Sequence, residues 1–110
     1  MLRFRIKNKD IFEMIRSGKK RVETRTATAK YRNISSGNSV MFVCGSERFK
    51  KIVSKASHFK TIRAMLRVYK IPDIMPSLKS EQELRKAYYS YPNYKIKIQK
   101  FGLMAWEFKK

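Results

Sequence analysis

The chain opens on a strict alternation in which Leu2, Phe4 and Ile6 are apolar and Arg3, Arg5 and Lys7 are cationic. A period of two predicts a strand with one buried and one charged face. The apolar spacing then becomes helical. Ile11, Phe12, Met14 and Ile15 share a stripe, with Asn8 or Asp10 placed to cap it and Gly18 to end it. Alternation returns over residues 21–26, with Val22, Thr24 and Thr26 on one side and Arg21, Glu23 and Arg25 on the other. This predicts a second strand that displays charge.

Residues 27–38 read as an irregular connection, because Asn33, Ser35, Ser36 and Gly37 are turn formers. Residues 39–44 are almost continuously apolar, which suits a strand buried on both faces. Gly45 and Ser46 turn the chain into an antiparallel return strand over residues 49–56. Ile62, Met65, Leu66 and Tyr69 have helical spacing, and Pro72 stops that helix. Ser80-Glu81-Gln82-Glu83 has the form of a capping box for a helix from about residue 81 to 90. Residues 94–100 fit a strand through Tyr94, Ile96 and Ile98, or a helix through Tyr94, Ile98 and Phe101. A last strand over residues 103–108 puts Met104, Trp106 and Phe108 on one face.

The predicted order is strand, helix, three strands, helices, strand. That pattern is neither a doubly wound sheet nor a sandwich, and it points to an α+β fold built on a small mixed sheet or barrel. At 110 residues the chain has material for one core, so residues 1–110 form a single domain.

Charge changes the picture from fold to partner. Lys and Arg number 27 against 8 Asp and Glu, a net charge of +19, more than solubility requires. Residues 48–70 hold eight basic residues and no acidic one, while the rest of the excess is scattered. Folding must therefore gather the charge into a surface. Nucleic acid, acidic lipid headgroups and acidic proteins are the candidate partners, against a background of merely lysine-rich composition. A membrane partner is disfavoured: no apolar run approaches the roughly 20 residues of a span, and no amphipathic terminal helix is evident. Cys44 and His58 are each alone, which excludes an intrachain disulfide and a Cys/His zinc site and suits a reducing, cytoplasmic setting without a metal or cofactor.

The segment Gly18-Lys19-Lys20-Arg21-Val22-Glu23-Thr24-Arg25 carries the most chemistry. Glu23 and Arg25, two apart on a strand, share a face, and Lys20 hangs at the strand's mouth. An ammonium and a guanidinium suit phosphate or carbonyl oxygens, and the carboxylate orients them or accepts a base's amino protons. An ordinary Lys20–Glu23 ion pair is the simpler alternative. His58 is expected to be a surface or hydrogen-bonding residue, Cys44 and Trp106 core residues. Tyr88, Tyr89, Tyr91 and Tyr94 suit either base stacking or core and lid packing.

Here the sequence resembles the ASCH domain of the PUA-like superfamily. Gly18, Lys20, Glu23 and Arg25 match its glycine, lysine and E-x-R signature in register. The basic pair Lys30 and Arg32 before Ile34, the Gly37-Asn38 turn with Asn in place of the usual Asp, Phe59, Ile74-Met75-Pro76, Tyr91-Pro92 and the closing Phe101-Gly102 through Phe108 follow the later pattern. The resemblance spans nearly the whole chain. It implies a PUA-like, five- or six-stranded barrel with packed helices, and a cleft beside the second strand that binds RNA.

On that reading Lys20, Glu23 and Arg25 line the cleft, Tyr31 and Arg32 join from the adjoining loop, and Arg3, Arg5, Arg48, Lys50 and Lys51 form a wider phosphate-binding surface. The resemblance also implies an alternative, since some ASCH proteins are amidohydrolases on acylated cytidines and others are assigned ribonuclease activity. Lys20 fits the amidohydrolase lysine and Glu23 is its candidate carboxylate partner. The position three after the lysine, a threonine in those enzymes, is Glu23 here, with Thr24 beside it. Asp73, Glu81 and Glu83 are the candidates for a later carboxylate.

Overall fold

A computed structural model describes residues 1–109. Five strands form one sheet in the order β1-β3-β4-β5-β2, where β1 is Leu2–Phe4, β2 Val22–Thr26, β3 Ser39–Cys44, β4 Glu47–Phe59 and β5 Leu103–Phe108. Only β1 and β3 run parallel; every other neighbouring pair is antiparallel. Six helices, α1 Lys9–Arg16, α2 Ala29–Arg32, α3 Ile62–Leu66, α4 Ile71–Ile74, α5 Glu81–Tyr89 and α6 Tyr94–Phe101, complete the α+β fold among the described residues.

The curl of the sheet comes from β4. Its first half pairs with β3 and its second half with β5, and the register slips between Val53 and Lys55. A bulge bends a strand and increases its twist, so one 13-residue strand serves two differently directed parts of the sheet. The result is a half-barrel with β1 and β2 as its two unpaired edges.

Two cores follow. Leu2, Val40, Phe42, Val53, Met104 and Trp106 gather inside the curl beneath Phe12 and Ile15 of α1. Leu2 on one edge strand can share a cluster with Trp106, which pairs opposite Glu23 of the other edge strand, only because the sheet wraps around them. Val22, Leu103 and Ala105 point the other way and meet Ile62, Met65, Ile74, Leu84, Tyr88 and Ile98 from α3 to α6. Strand β5 is therefore covered on both faces. Its predicted face of Met104, Trp106 and Phe108 is the inner one, and Trp106 donates its indole N–H to the Ile34 carbonyl at 3.1 Å.

Several expectations are corrected. The first strand stops at Phe4, and Ile6 lies in a 3-10 turn with its side chain exposed, because the chain must bend away there to enter α1. The irregular connection contains the short helix α2, and the return strand runs beyond residues 49–56 in both directions. The helix around Met65 ends by Leu66, and Pro72 stands in the first turn of α4, where its missing N–H has no partner to lose. Residues 94–100 belong to a helix. The expected Ser80 cap forms, with Ser80 Oγ accepting from the Glu83 backbone N–H at 3.1 Å, while the Glu83 carboxylate accepts from the Lys79 N–H at 3.0 Å. No helix among the described residues is long and apolar enough to cross a membrane.

Candidate functional site

The site begins where α1 ends. Gly18, with φ +84°, takes the left-handed conformation that lets the chain reverse, and Lys20 N–H then returns to the Met14 carbonyl at 2.9 Å. That turn drives the Lys20 side chain inward. It is 2% exposed, and its ammonium donates to the carbonyls of Val22, at 2.7 Å, and Ile74.

Strand β2 is an edge strand, so alternate backbone groups face away from β5 and need other partners. Side chains of the strand and of the turn before it supply them. Lys20 Nζ serves the Val22 carbonyl, and the Thr24 N–H donates to Glu23 Oε1 at 2.9 Å. The expected charged face of this strand is not displayed to solvent: Glu23 is 5% exposed and Arg25 largely covered. The register explains this, since Glu23 lies opposite Trp106 and Arg25 opposite Met104, both inward-facing.

Lys20, Glu23 and Arg25 converge. Lys20 Nζ is 3.6 Å from Glu23 Oε1, and an Arg25 guanidinium nitrogen is 3.4 Å from Glu23 Oε2. The same guanidinium donates to the Arg3 carbonyl at 3.2 Å and lies 4.9 Å from the Phe4 ring centre and 5.8 Å from that of Tyr31. Arg25 thus spans the open side of the half-barrel, from the β2 edge to the β1 edge.

Around this triad is a cavity of about 270 Å³. Arg3, Phe4 and Arg5 form one wall, the Glu23–Thr26 stretch of β2 another, and Tyr88, Tyr91 and Tyr94 a third, with Tyr31 at the side. Thr24 and Tyr88 share a buried hydrogen bond of 2.5 Å between their hydroxyls. Tyr91 and Tyr94 have ring centres 5.0 Å apart. Glu23 is the cavity's one carboxylate among the described residues.

Electrostatics follow from burial. Desolvation pushes the Lys20 ammonium below the ordinary lysine value; Glu23 opposes that shift and Arg25 adds to it. Burial also weighs against the Arg25 charge, but Glu23, Tyr94 and Tyr31 outweigh it and hold its pKa above the usual value. Burial raises Tyr88 and Tyr91, and raises Tyr94 to about 12, so these hydroxyls remain protonated donors at neutral pH.

The remaining sequence candidates separate. Arg3 and Arg5 reach the cavity, as does Tyr31, whereas Arg32 is exposed outside it. Arg48 and Lys50 lie on the outer face of β4; the pairing of Arg3 with Val43 and of Val43 with Arg48 puts Arg3 on that same face. Lys51 faces the opposite way and lines a second cavity. None of the three later carboxylates lines the first cavity. Asp73 stands 3.9 Å from Arg21, Glu81 binds Arg85 at 2.9 Å, and Glu83 caps α5 through Ser80 and the Lys79 N–H.

Of the tyrosines, Tyr89 points outside. His58 Nε2 donates to the Phe101 carbonyl at 2.7 Å, and Cys44 is buried. Sequence reasoning missed Thr24 and Lys97 as lining residues. The Thr24 side chain sits on the uncharged face of the strand, yet at an open edge such a residue also borders the gap.

No family model matches the chain, and no curated protein does. Among solved structures it is similar to the crystal structure of hypothetical protein PH0355, with TM-score 0.78 and 26% identity over 91% of this chain and 90% of that one. It is also similar to the solution structure of protein PF0455 from Pyrococcus furiosus, with TM-score 0.75 and 23% identity over 98% of this chain and 94% of that one. These likenesses establish the class of fold, a small α+β half-barrel.

Proposed function

We propose that this chain is an RNA-binding module of the ASCH type within the PUA-like superfamily, taking a nucleotide of its RNA into the cavity between β1 and β2. The observation that carries the reading is the convergence of Lys20, Glu23 and Arg25 at one open sheet edge, inside a tyrosine-walled cavity. The guanidinium and the tyrosine hydroxyls are donors, the carboxylate is an acceptor, and the tyrosine rings offer stacking surface. That combination fits the edge and faces of a base better than it fits a lone anion, because Glu23 repels negative charge.

Arg3, Arg48 and Lys50, which share the outer face of the sheet, supply the phosphate contacts. The affinity for single-stranded RNA then falls steeply with salt. The double variant Arg48→Ala/Lys50→Ala reduces the slope of log affinity against log salt by about 1.4, since each phosphate contact on a single strand contributes about 0.7. Arg25→Ala weakens binding while leaving that slope nearly unchanged. Weak binding that is equal at low and physiological salt refutes the reading.

One observation favours a second reading, a small hydrolase acting on an acylated cytidine or on RNA. Lys20, its proton affinity lowered by burial, sits beside Glu23 and close in the chain to the Thr24 hydroxyl. Lys20 would be its base and Glu23 the group that holds it. It requires turnover that Lys20→Ala abolishes, and the absence of product from acylated cytidines and labelled RNA dismisses it.

A further inference from the structure

A second cavity, of about 680 Å³, opens at the other end of β2, on the far side of Lys20. Its walls come from the end of α1, the turn after it, the middle of β4 and the chain leaving β5. Five basic residues line it, Arg16, Lys20, Arg21, Lys51 and Lys109, against two carboxylates, Asp73 and Glu107. Both carboxylates are engaged: Asp73 lies 3.9 Å from Arg21, and Glu107 accepts the Tyr69 hydroxyl at 2.5 Å. Arg16 is held by Glu13 and Glu47, each at 3.3 Å. Among the described residues Lys51 and Lys109 have no ion-pair partner.

Lys51 is the informative one. The pairing of Val40 with Lys51 and of Phe42 with Phe49 places it on the core-facing side of β4, between Phe49 and Val53, where alternation calls for an apolar residue. It is half-buried there without an ion-pair partner among the described residues. An inward-facing lysine beside a core is costly unless something completes it, and the cavity it lines places four further basic residues around the same space.

We propose that this second cavity binds a phosphate-class oxyanion, with Lys51, Lys109 and Arg21 as its donors. The volume is in the range of small-ligand sites and accommodates a phosphoryl group with the sugar that bears it, so the oxyanion is either free phosphate or the phosphate of a nucleotide. The site is separate from the base-binding reading of the first cavity and does not rest on it. Lys20 stands between the two cavities, and its ammonium is bound to the Val22 and Ile74 carbonyls.

The test is a backbone-amide NMR titration of the whole chain with inorganic phosphate at constant ionic strength, followed by a nucleoside 5′-monophosphate and its parent nucleoside. Saturable shifts at Gly18, Arg21, Lys51 and Lys109 are expected. Lys51→Met weakens the phosphate affinity at least five-fold, and Lys109→Ala, at an exposed position outside the core, does so independently of any effect on folding. A monophosphate tighter than phosphate at these amides identifies the ester as the source, and equal affinity identifies the free ion; both support the site. Shifts that never saturate and spread over all the lysine-rich surface overturn it. Saturable shifts confined to Arg25 and Tyr31 overturn it too, while leaving the first cavity's role standing. Conversely, a chain that takes phosphate here but no RNA refutes only the RNA reading.

Discussion

Glu23→Gln tests whether the buried triad is held by charge. The amide keeps the shape of the side chain and can still accept from the Thr24 N–H, so the change removes little except the negative charge shared by Lys20 and Arg25. Removing one partner of a buried ion pair costs about 3–5 kcal/mol. Lys20 limits its own share of that cost, because the folded protein can release the proton. At pH 7 this release costs about 1.36 kcal/mol for each unit below the ordinary lysine pKa of about 10.4, or about 4.6 kcal/mol, and at pH 9 only about 2 kcal/mol.

The sign is fixed by direction. Burial lowers the folded-state pKa of Lys20, so the unfolded chain binds this proton more tightly, and stability rises with pH between the folded value and the ordinary one. Losing Glu23 lowers the folded value further and steepens the dependence. For 110 residues, 1 kcal/mol corresponds to roughly 4 °C in Tm. Thermal unfolding followed by circular dichroism should show Glu23→Gln melting roughly 12–20 °C below the parent at pH 7 and less far below it at pH 9. The double variant Glu23→Gln/Lys20→Met recovers part of the loss. A fall of under about 4 °C at pH 7, or one that grows with pH, refutes the reasoning.

Tyr88→Phe leaves the Thr24 hydroxyl without its buried partner and should cost about 1–3 kcal/mol in chemical denaturation, with Thr24→Val restoring part of it; an unchanged midpoint removes that hydrogen bond from the account. Gly102→Ala should lower Tm far more than Gly37→Ala. Both residues have positive φ, but a Cβ at Gly102 falls 2.3 Å from the Phe59 carbonyl oxygen, whereas at Gly37 it meets nothing within 4 Å. Equal losses would mean that backbone conformation alone sets the cost. For RNA, the salt slope and its reduction by Arg48→Ala/Lys50→Ala separate phosphate contacts from the cavity, and filter binding at two salt concentrations measures both.

Much of the local structure is written in the sequence. The period of two over residues 21–26, the glycine that ends α1, the Ser80 cap and the Met104, Trp106, Phe108 face are each set by neighbours a few residues apart, and each is found in the fold. The grouping of Lys20, Glu23 and Arg25 is of the same kind, because a strand's repeat and one turn fix it. What periodicity cannot report is what covers a face. The alternation at β2 separates charged from uncharged sides correctly, yet the charged side turns into the curl and is buried. That outcome depends on the bulge in β4, some 30 residues further along the chain, which bends the sheet until its two edges approach.

The sequence by itself therefore determined the elements, the α+β class and the local group of three charged residues, since all of these depend on short-range spacing. Tertiary structure alone decided that β2 is an edge, that Arg25 reaches across to Arg3, that the tyrosines of α5, α6 and the turn between them wall the cavity and that Lys51 faces inward beside a second one. These are relations between distant segments, brought together by the curl of one long strand.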